Sequence, residues 1–413
     1  MFIEFKQQRK YLNKVILLLV TAAPGVFKIA NLFVLKYLYS GHILSLYLND
    51  IFINQIILIF TGISWSTLIL TDLNKGGVTN QFEFFKIINF YGILYCIPSV
   101  VVMYGLFRFG WIVDFFGSCI YLIATTCYQN FRMFYIAQKR YNELMLVEIV
   151  ILALSVIFAW LFFSFHLKVL IGQSLSFLFI FLFLFVKEKR IDFLKVSWQP
   201  SLIRRNIFNS LTNFTTGSIS LFFTPLTFHL LSTDQTNIVG MVSYFVTVLT
   251  LIPRSFSYSE TVKMSYTLED RIGLMKIYER FNRRNLYINL GAFISTAILA
   301  IIFAYTPYIS SFTTESNIDF FLLIAILMTL SGLTSQIVLP ISNLFVIKEK
   351  EHQIFAVNLF SFLLFIFLYL CLDNFLFGVK LIMAFQVLMF VGHLFRYFML
   401  ICVDRKFSSV AKI

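Results

Sequence analysis

Apolar residues in this chain come in long runs separated by short polar breaks. The strict apolar/polar alternation of half-buried strands is absent, and so are turn residues at strand spacing. A helix needs about 20 mostly apolar residues to cross a bilayer. Twelve runs reach that length: 15–38, 51–71, 87–107, 111–131, 145–164, 168–186, 207–231, 237–258, 286–308, 319–347, 353–372 and 379–402. The pattern predicts an all-α membrane protein of about twelve transmembrane helices. A basic cytoplasmic linker, 187–206, divides them into an N-terminal lobe of six helices (1–186) and a C-terminal lobe of six (207–413).

Composition supports the lipid environment. Of 413 residues, 59% are hydrophobic and 13% charged, and the mean hydropathy is +0.84. A soluble protein of this size could not bury so much apolar side chain and would aggregate. The first run is too long for a signal-peptide core and lacks a small-residue cleavage pattern, so it is expected to stay as an anchor.

The net charge of +13 matters here through position, which argues against a nucleic-acid partner. Only four basic residues, Lys36, Arg108, Lys168 and Lys380, fall at or beside the odd-numbered connections; all the rest except Lys28 group on the other side. The positive-inside rule then puts both termini in the cytoplasm. Dense basic stretches at 186–205 and 254–284 read as surface segments able to lie against anionic headgroups. Every outer loop is short, which excludes a folded external domain. The five cysteines sit in apolar segments with no CxxC pair, and the histidines His42, His166, His229, His352 and His393 are scattered. Neither a disulfide framework nor a metal or cofactor site is expected.

Within a membrane, polar residues decide which helix face turns inward. At 100° per residue, Thr21, Pro24, Gly25, Lys28 and Asn31 share one face of the first helix, and Asp50, Asn54, Thr61, Trp65 and Asp72 share one face of the second. Asn206, Asn209, Asn213, Thr216, Ser220, Thr224 and Thr227 stripe the seventh. The eighth offers Tyr244, Thr247, Ser255 and Tyr258, with Arg254 at the margin; the tenth has Thr329, Gly332, Ser335, Gln336 and Pro340, so a bend is expected there. Polar stripes thus open each group of six, and laying Gly25 on Gly217 pairs Lys28 with Ser220. Such stripes can simply glue helices together; in repeat-related positions they predict a water-filled central cavity between two lobes.

Lys28 is the sharpest anomaly. It lies 14 residues past Lys14, about 21 Å deeper at 1.5 Å per residue. A lysine stem cannot snorkel back over that distance. Either the ammonium pairs with a carboxylate such as Asp50 or stays neutral, or it lines a cavity that accepts an anionic substrate.

The whole layout resembles the multidrug/oligosaccharidyl-lipid/polysaccharide exporter superfamily, in particular the Wzx-type O-antigen flippases. Three stretches carry the likeness: "YQNFRMFYIAQKRYNELMLVEIV" (128–150), similar to a basic hairpin between helices four and five; "STDQTNIVGMVSYFVTVLTLIPRSFSYS" (232–259), similar to the seventh-to-eighth helix passage; and "NLFVIKEKEHQIFAVNLFSFLLF" (343–365), similar to a tight turn between helices ten and eleven. The resemblance implies a carrier, with no enzymatic activity, for undecaprenyl-pyrophosphate-linked O-antigen or polysaccharide repeat units. It would move them across a bacterial inner membrane by alternating access, with membrane lipids, an O-antigen polymerase and a chain-length regulator as possible neighbours. It also implies a cationic cavity, to which Lys28 and Arg254 correspond by position and type. The seventh helix departs from that expectation, since its stripe has amides and hydroxyls but no basic residue. Sugar hydroxyls want many moderate donors and acceptors, which Asn31, Asn54, Asn213, Ser220 and Gln336 would supply, with Trp65 or Tyr244 stacking on sugar faces.

Two rivals remain in view. A multidrug or cation antiporter of the same superfamily is expected to need a membrane-embedded carboxylate; helices one and seven have none, and Asp50, Asp114, Glu148 and Asp234 fall near helix ends. An O-antigen polymerase or glycosyltransferase is expected to carry a large outer loop with paired acids, whereas Glu315 and Asp319 share only a short one.

Overall fold

A computed structural model of the chain describes residues 2–73, 81–166, 168–188, 199–268, 270–306 and 317–410. These residues form twelve helical rods: α1 (Phe2–Leu38), α2 (Gly41–Asp72), α3 (Gln81–Arg108), α4 (Phe115–Ala137), α5 (Tyr141–Ser164), α6 (Val169–Lys187), α7 (Pro200–Leu230), α8 (Thr233–Tyr266), α9 (Arg271–Ala304), α10 (Ile318–Ile347), α11 (Glu351–Asp373) and α12 (Val379–Val410). The chain divides into two compact units, Met1–Pro200 and Ser201–Ile413. Large apolar side chains point outward from both, among them Val101 (69% exposed), Leu146 (65%) and Phe367 (63%). Lipid, rather than water, is the medium in which such a surface is stable. This is a multi-pass, all-α membrane protein.

Local chemistry sets the helix starts. Ser40 Oγ accepts from Ile43 N at 3.4 Å to open α2, Asp114 Oδ1 accepts from Gly117 N at 3.2 Å to open α4, and Asp270 Oδ1 accepts from Gly273 N at 3.0 Å to open α9. Ser232 and Gln235 form a reciprocal capping box at the start of α8. Several rods outrun their apolar runs: α1 starts at Phe2, α9 at Arg271, and α12 continues to Val410. The basic stretch 254–284 is therefore no separate surface segment. Most of it is the end of α8 and the beginning of α9, because Lys, Arg and Glu are good helix formers and the backbone ladder does not stop where hydrophobicity does. Of the linker 187–206, residues 189–198 lie outside the described residues, as does Glu315.

Ten of the rods are long and apolar enough to cross a membrane on composition alone; α4 and α7 are not. In α4 every residue from Ala124 to Ala137 except Gln129 is buried. Its polar side chains find partners inside the unit: Thr126 Oγ1 lies 2.7 Å from Thr61 Oγ1, and Asn130 Nδ2 donates to Asn89 Oδ1 at 3.1 Å. Close backbone approach makes this possible. A Cβ on Gly92 would meet Thr61 O and Asn130 Nδ2 at 2.9 Å each, so only glycine fits at that crossing. Beside it, α2 carries one turn of π-helix at Ile59–Ile63, the kind of irregularity that re-aims a helix around a neighbour.

Five rods contain an internal proline, and each leaves a carbonyl without its N–H partner four residues upstream. In α1, Pro24 releases Val20 O, and Arg132 Nη2 of α4 donates to it at 3.1 Å. In α10 the helix breaks at Val338, and Pro340 releases Gln336 O, which Asn285 Nδ2 of α9 takes up at 2.8 Å. Both of these freed carbonyls are thus taken up by a polar side chain from another helix of the same unit.

Candidate functional site

The first unit uses most of its predicted polar residues internally. Asn31 (1% exposed) donates to Tyr47 Oη at 3.1 Å and accepts from Gln173 Nε2 at 3.0 Å and Ser155 Oγ at 3.3 Å, bolting α1 to α2, α5 and α6. Asn54 donates to Ser118 Oγ at 2.9 Å and to Asp50 O at 2.8 Å, linking α2 to α4. Trp65 is fully buried, stacked on Tyr91 with ring centroids 5.3 Å apart and edge-on to Tyr95. These three side chains have packing roles here, with no face open to a sugar. Lys28 is half-buried. Asp50, considered as its partner, accepts instead from Val113 N at 2.9 Å, Asp114 N at 2.7 Å and Asn49 Nδ2 at 3.2 Å. It holds the α3–α4 connection.

In the second unit the candidate residues differ in exposure. Ser220 is exposed and donates only to its own helix, at Gly217 O. Asn213 is half-buried, with Nδ2 at 3.5 Å from Asn209 Oδ1. Tyr244 is buried. Arg254 and Gln336, far apart in sequence, meet: Arg254 Nε donates to Gln336 Oε1 at 3.1 Å, and Gln336 Nε2 donates to Ser335 Oγ at 2.7 Å. Just beyond, Asn343 Nδ2 reaches Ser257 Oγ and Thr261 Oγ1, both at 2.7 Å. A polar seam therefore runs between α8 and α10. Arg254 is exposed, and among the described residues its terminal nitrogens have no partner. An oriented guanidinium with a free edge suits a bidentate anion such as a phosphate.

Sequence reasoning overlooked two buried arginines. Arg132 forms an ion pair with Glu148 (Nε to Oε1, 3.0 Å), each side chain 4% exposed. Glu148 is therefore an interior carboxylate rather than one at a helix end. Arg396 of α12 is 8% exposed and has no hydrogen bond or ion pair among the described residues. The available signal was Arg396 inside the run 379–402 and Arg132 one residue past the run 111–131; counting both arginines with the cytoplasmic basic residues concealed it.

Solved structures share this arrangement along nearly the whole chain. The eukaryotic MATE transporter AtDTX14 superposes with a TM-score of 0.72 at 14% identity, covering 98% of this chain and 96% of its own. The fold is that of the MATE transporters. A multidrug-resistance MATE family transporter of the MOP superfamily, solved in an outward-facing conformation, gives 0.69 at 12% identity over 97% and 95%. A MOP superfamily transporter from Pyrococcus furiosus, whose binding pocket is described as of reverse polarity, gives 0.66 at 12% identity over 97% and 95%. No protein-family model matches the sequence, and no curated protein matches it.

Proposed function

We propose that this protein is a lipid-linked oligosaccharide flippase, moving undecaprenyl-pyrophosphate-linked O-antigen or polysaccharide repeat units across a bacterial inner membrane by alternating access. The observation that carries the reading is Arg254, a guanidinium steered by Gln336 with its remaining donors unspent. It is a headgroup contact for the pyrophosphate. Lys28 adds a cation deep in the first apolar run, and the exposed hydroxyl of Ser220 and the amide of Asn213 suit neutral sugars. The basic asymmetry supports cytoplasmic termini, and the MATE-type fold supports transport. That fold does not set the sign of the substrate's charge, since the Pyrococcus furiosus transporter is described as having a pocket of reverse polarity that suggests a different function.

Multidrug antiport is the second reading. Neighbours of this fold include MATE multidrug transporters, DinF-BH among them. Glu148 is the observation on its side, a carboxylate inside α5, although its Oε1 is engaged by Arg132.

A deletion strain separates the two. The flippase reading expects loss of surface polysaccharide and accumulation of lipid-linked units on the cytoplasmic leaflet, with unchanged drug susceptibility. Units that reach the periplasm unpolymerised would point to a polymerase instead. At normal protein abundance, Lys28→Ala is expected to abolish export and Lys28→Arg to retain part of it; full export by the alanine variant would remove Lys28 from the transport path.

A further inference from the structure

Inside the second unit, α7, α11 and α12 line a partly open pocket with a free volume of about 30 Å³. Thr215, Asn358, Ser361, Gly392, His393 and Arg396 are among its lining residues, and no carboxylate is. On α12 the positions 392, 393 and 396 share one helix face, so glycine, histidine and arginine all look into the same space. The hydroxyls spend their protons on their own helices, Thr215 on Leu211 O at 2.9 Å and Ser361 on Val357 O at 2.9 Å. The remaining donors are Arg396, Asn358 and His393. Asn358 is 1% exposed, and among the described residues both atoms of its amide and Nε of Arg396 lack a hydrogen-bond partner.

An uncompensated guanidinium in such a place has few ways out. Arginine does not deprotonate in proteins. Snorkelling is geometrically open to it, because Arg396 lies seven residues, about 10 Å, from Val403 at the end of the apolar span. Yet the side chain stays buried and faces the cavity. Leaving it unpaired would cost several kcal/mol. A counter-ion removes that cost.

We propose that this cavity binds one small inorganic anion of halide size, held by Arg396 and by Nδ2 of Asn358, with His393 beside it. The size limit follows from the free volume. A water needs about 10–15 Å³ of such space, so the space beside Arg396 and Asn358 takes one or two atoms of that size. The site is independent of the flippase reading and of Arg254 and Lys28.

The test uses the purified full-length protein in detergent, with thermal unfolding followed at constant ionic strength as sodium gluconate is replaced by sodium chloride or sodium bromide. The native protein is expected to show a saturable rise in midpoint of a few degrees with either halide. Arg396→Met should abolish it by removing the cation. Gly392→Leu should abolish it by filling the space, since a Cβ there meets nothing within 4 Å. Arg280→Met, at an exposed position, should keep it. Crystals grown in bromide are expected to show an anomalous peak between Arg396 and Asn358. No halide-specific rise in the native protein, or a rise that survives in both cavity variants, overturns the proposal. So does a saturable rise with pyrophosphate and none with halides. If Arg396→Met does not fold, Gly392→Leu and the bromide peak decide.

Discussion

Arg132 and Arg396 are both buried guanidiniums on helices of a membrane protein, yet their surroundings are opposite. Arg132 meets a carboxylate and a carbonyl: Glu148 Oε1 at 3.0 Å and Val20 O at 3.1 Å. Arg396 meets a cavity and an equally unpartnered asparagine. Burying a charge is tolerable only where something answers it. In the first unit the answer is built from the chain, so Arg132 also partners the carbonyl that Pro24 frees. In the second no described residue answers it, and the proposed small anion does. One arginine is therefore a structural bolt and the other a receptor.

The contrast can be broken by substitution. The largest effect is expected from Arg132→Met, which strands the Glu148 carboxylate without a counter-charge and leaves Val20 O unpaired; a loss of roughly 3–5 kcal/mol is expected, read as a lowered unfolding midpoint and reduced yield of folded protein. The double variant Arg132→Met with Glu148→Leu should recover most of it. Equal instability of the single and double variants would mean that the ion pair is not what holds this region. Next comes Asn285→Ala, which frees the Gln336 carbonyl released by Pro340; about 1–3 kcal/mol is expected, and no change would assign the repair to water. The smallest change is expected from Arg396→Met in halide-free buffer. It removes a buried charge with no partner, so unfolding should move little or upward. A loss matching that of Arg132→Met would erase the distinction between the two arginines.

Site residues divide along the same line. Asn31, Asn54 and Trp65 read from their helix faces as polar and aromatic contacts for a substrate, but the first unit closes over them. Periodicity places a residue on a face without saying whether that face meets a neighbour or an opening. Arg254 and Gln336 were both visible as polar positions on their helices. Their pairing was not, because 82 residues separate them and only the packing of α8 on α10 brings them to 3.1 Å.

The amino-acid sequence alone determined the class of solvent and the ten rods that are apolar enough to cross a membrane, since both follow from local hydrophobicity over about 20 residues. It also marked Pro340, where a missing N–H leaves a helix carbonyl to find another donor. For α4, which the sequence also marked as a helix although it is less apolar than most of the rods, tertiary structure decided the partners of its polar side chains: Thr126 meets Thr61 and Asn130 meets Asn89. It decided which carbonyls freed by proline find a donor, and which buried cations find a partner. Those outcomes depend on side chains from distant helices meeting within about 3 Å, a distance that periodicity along one helix does not encode.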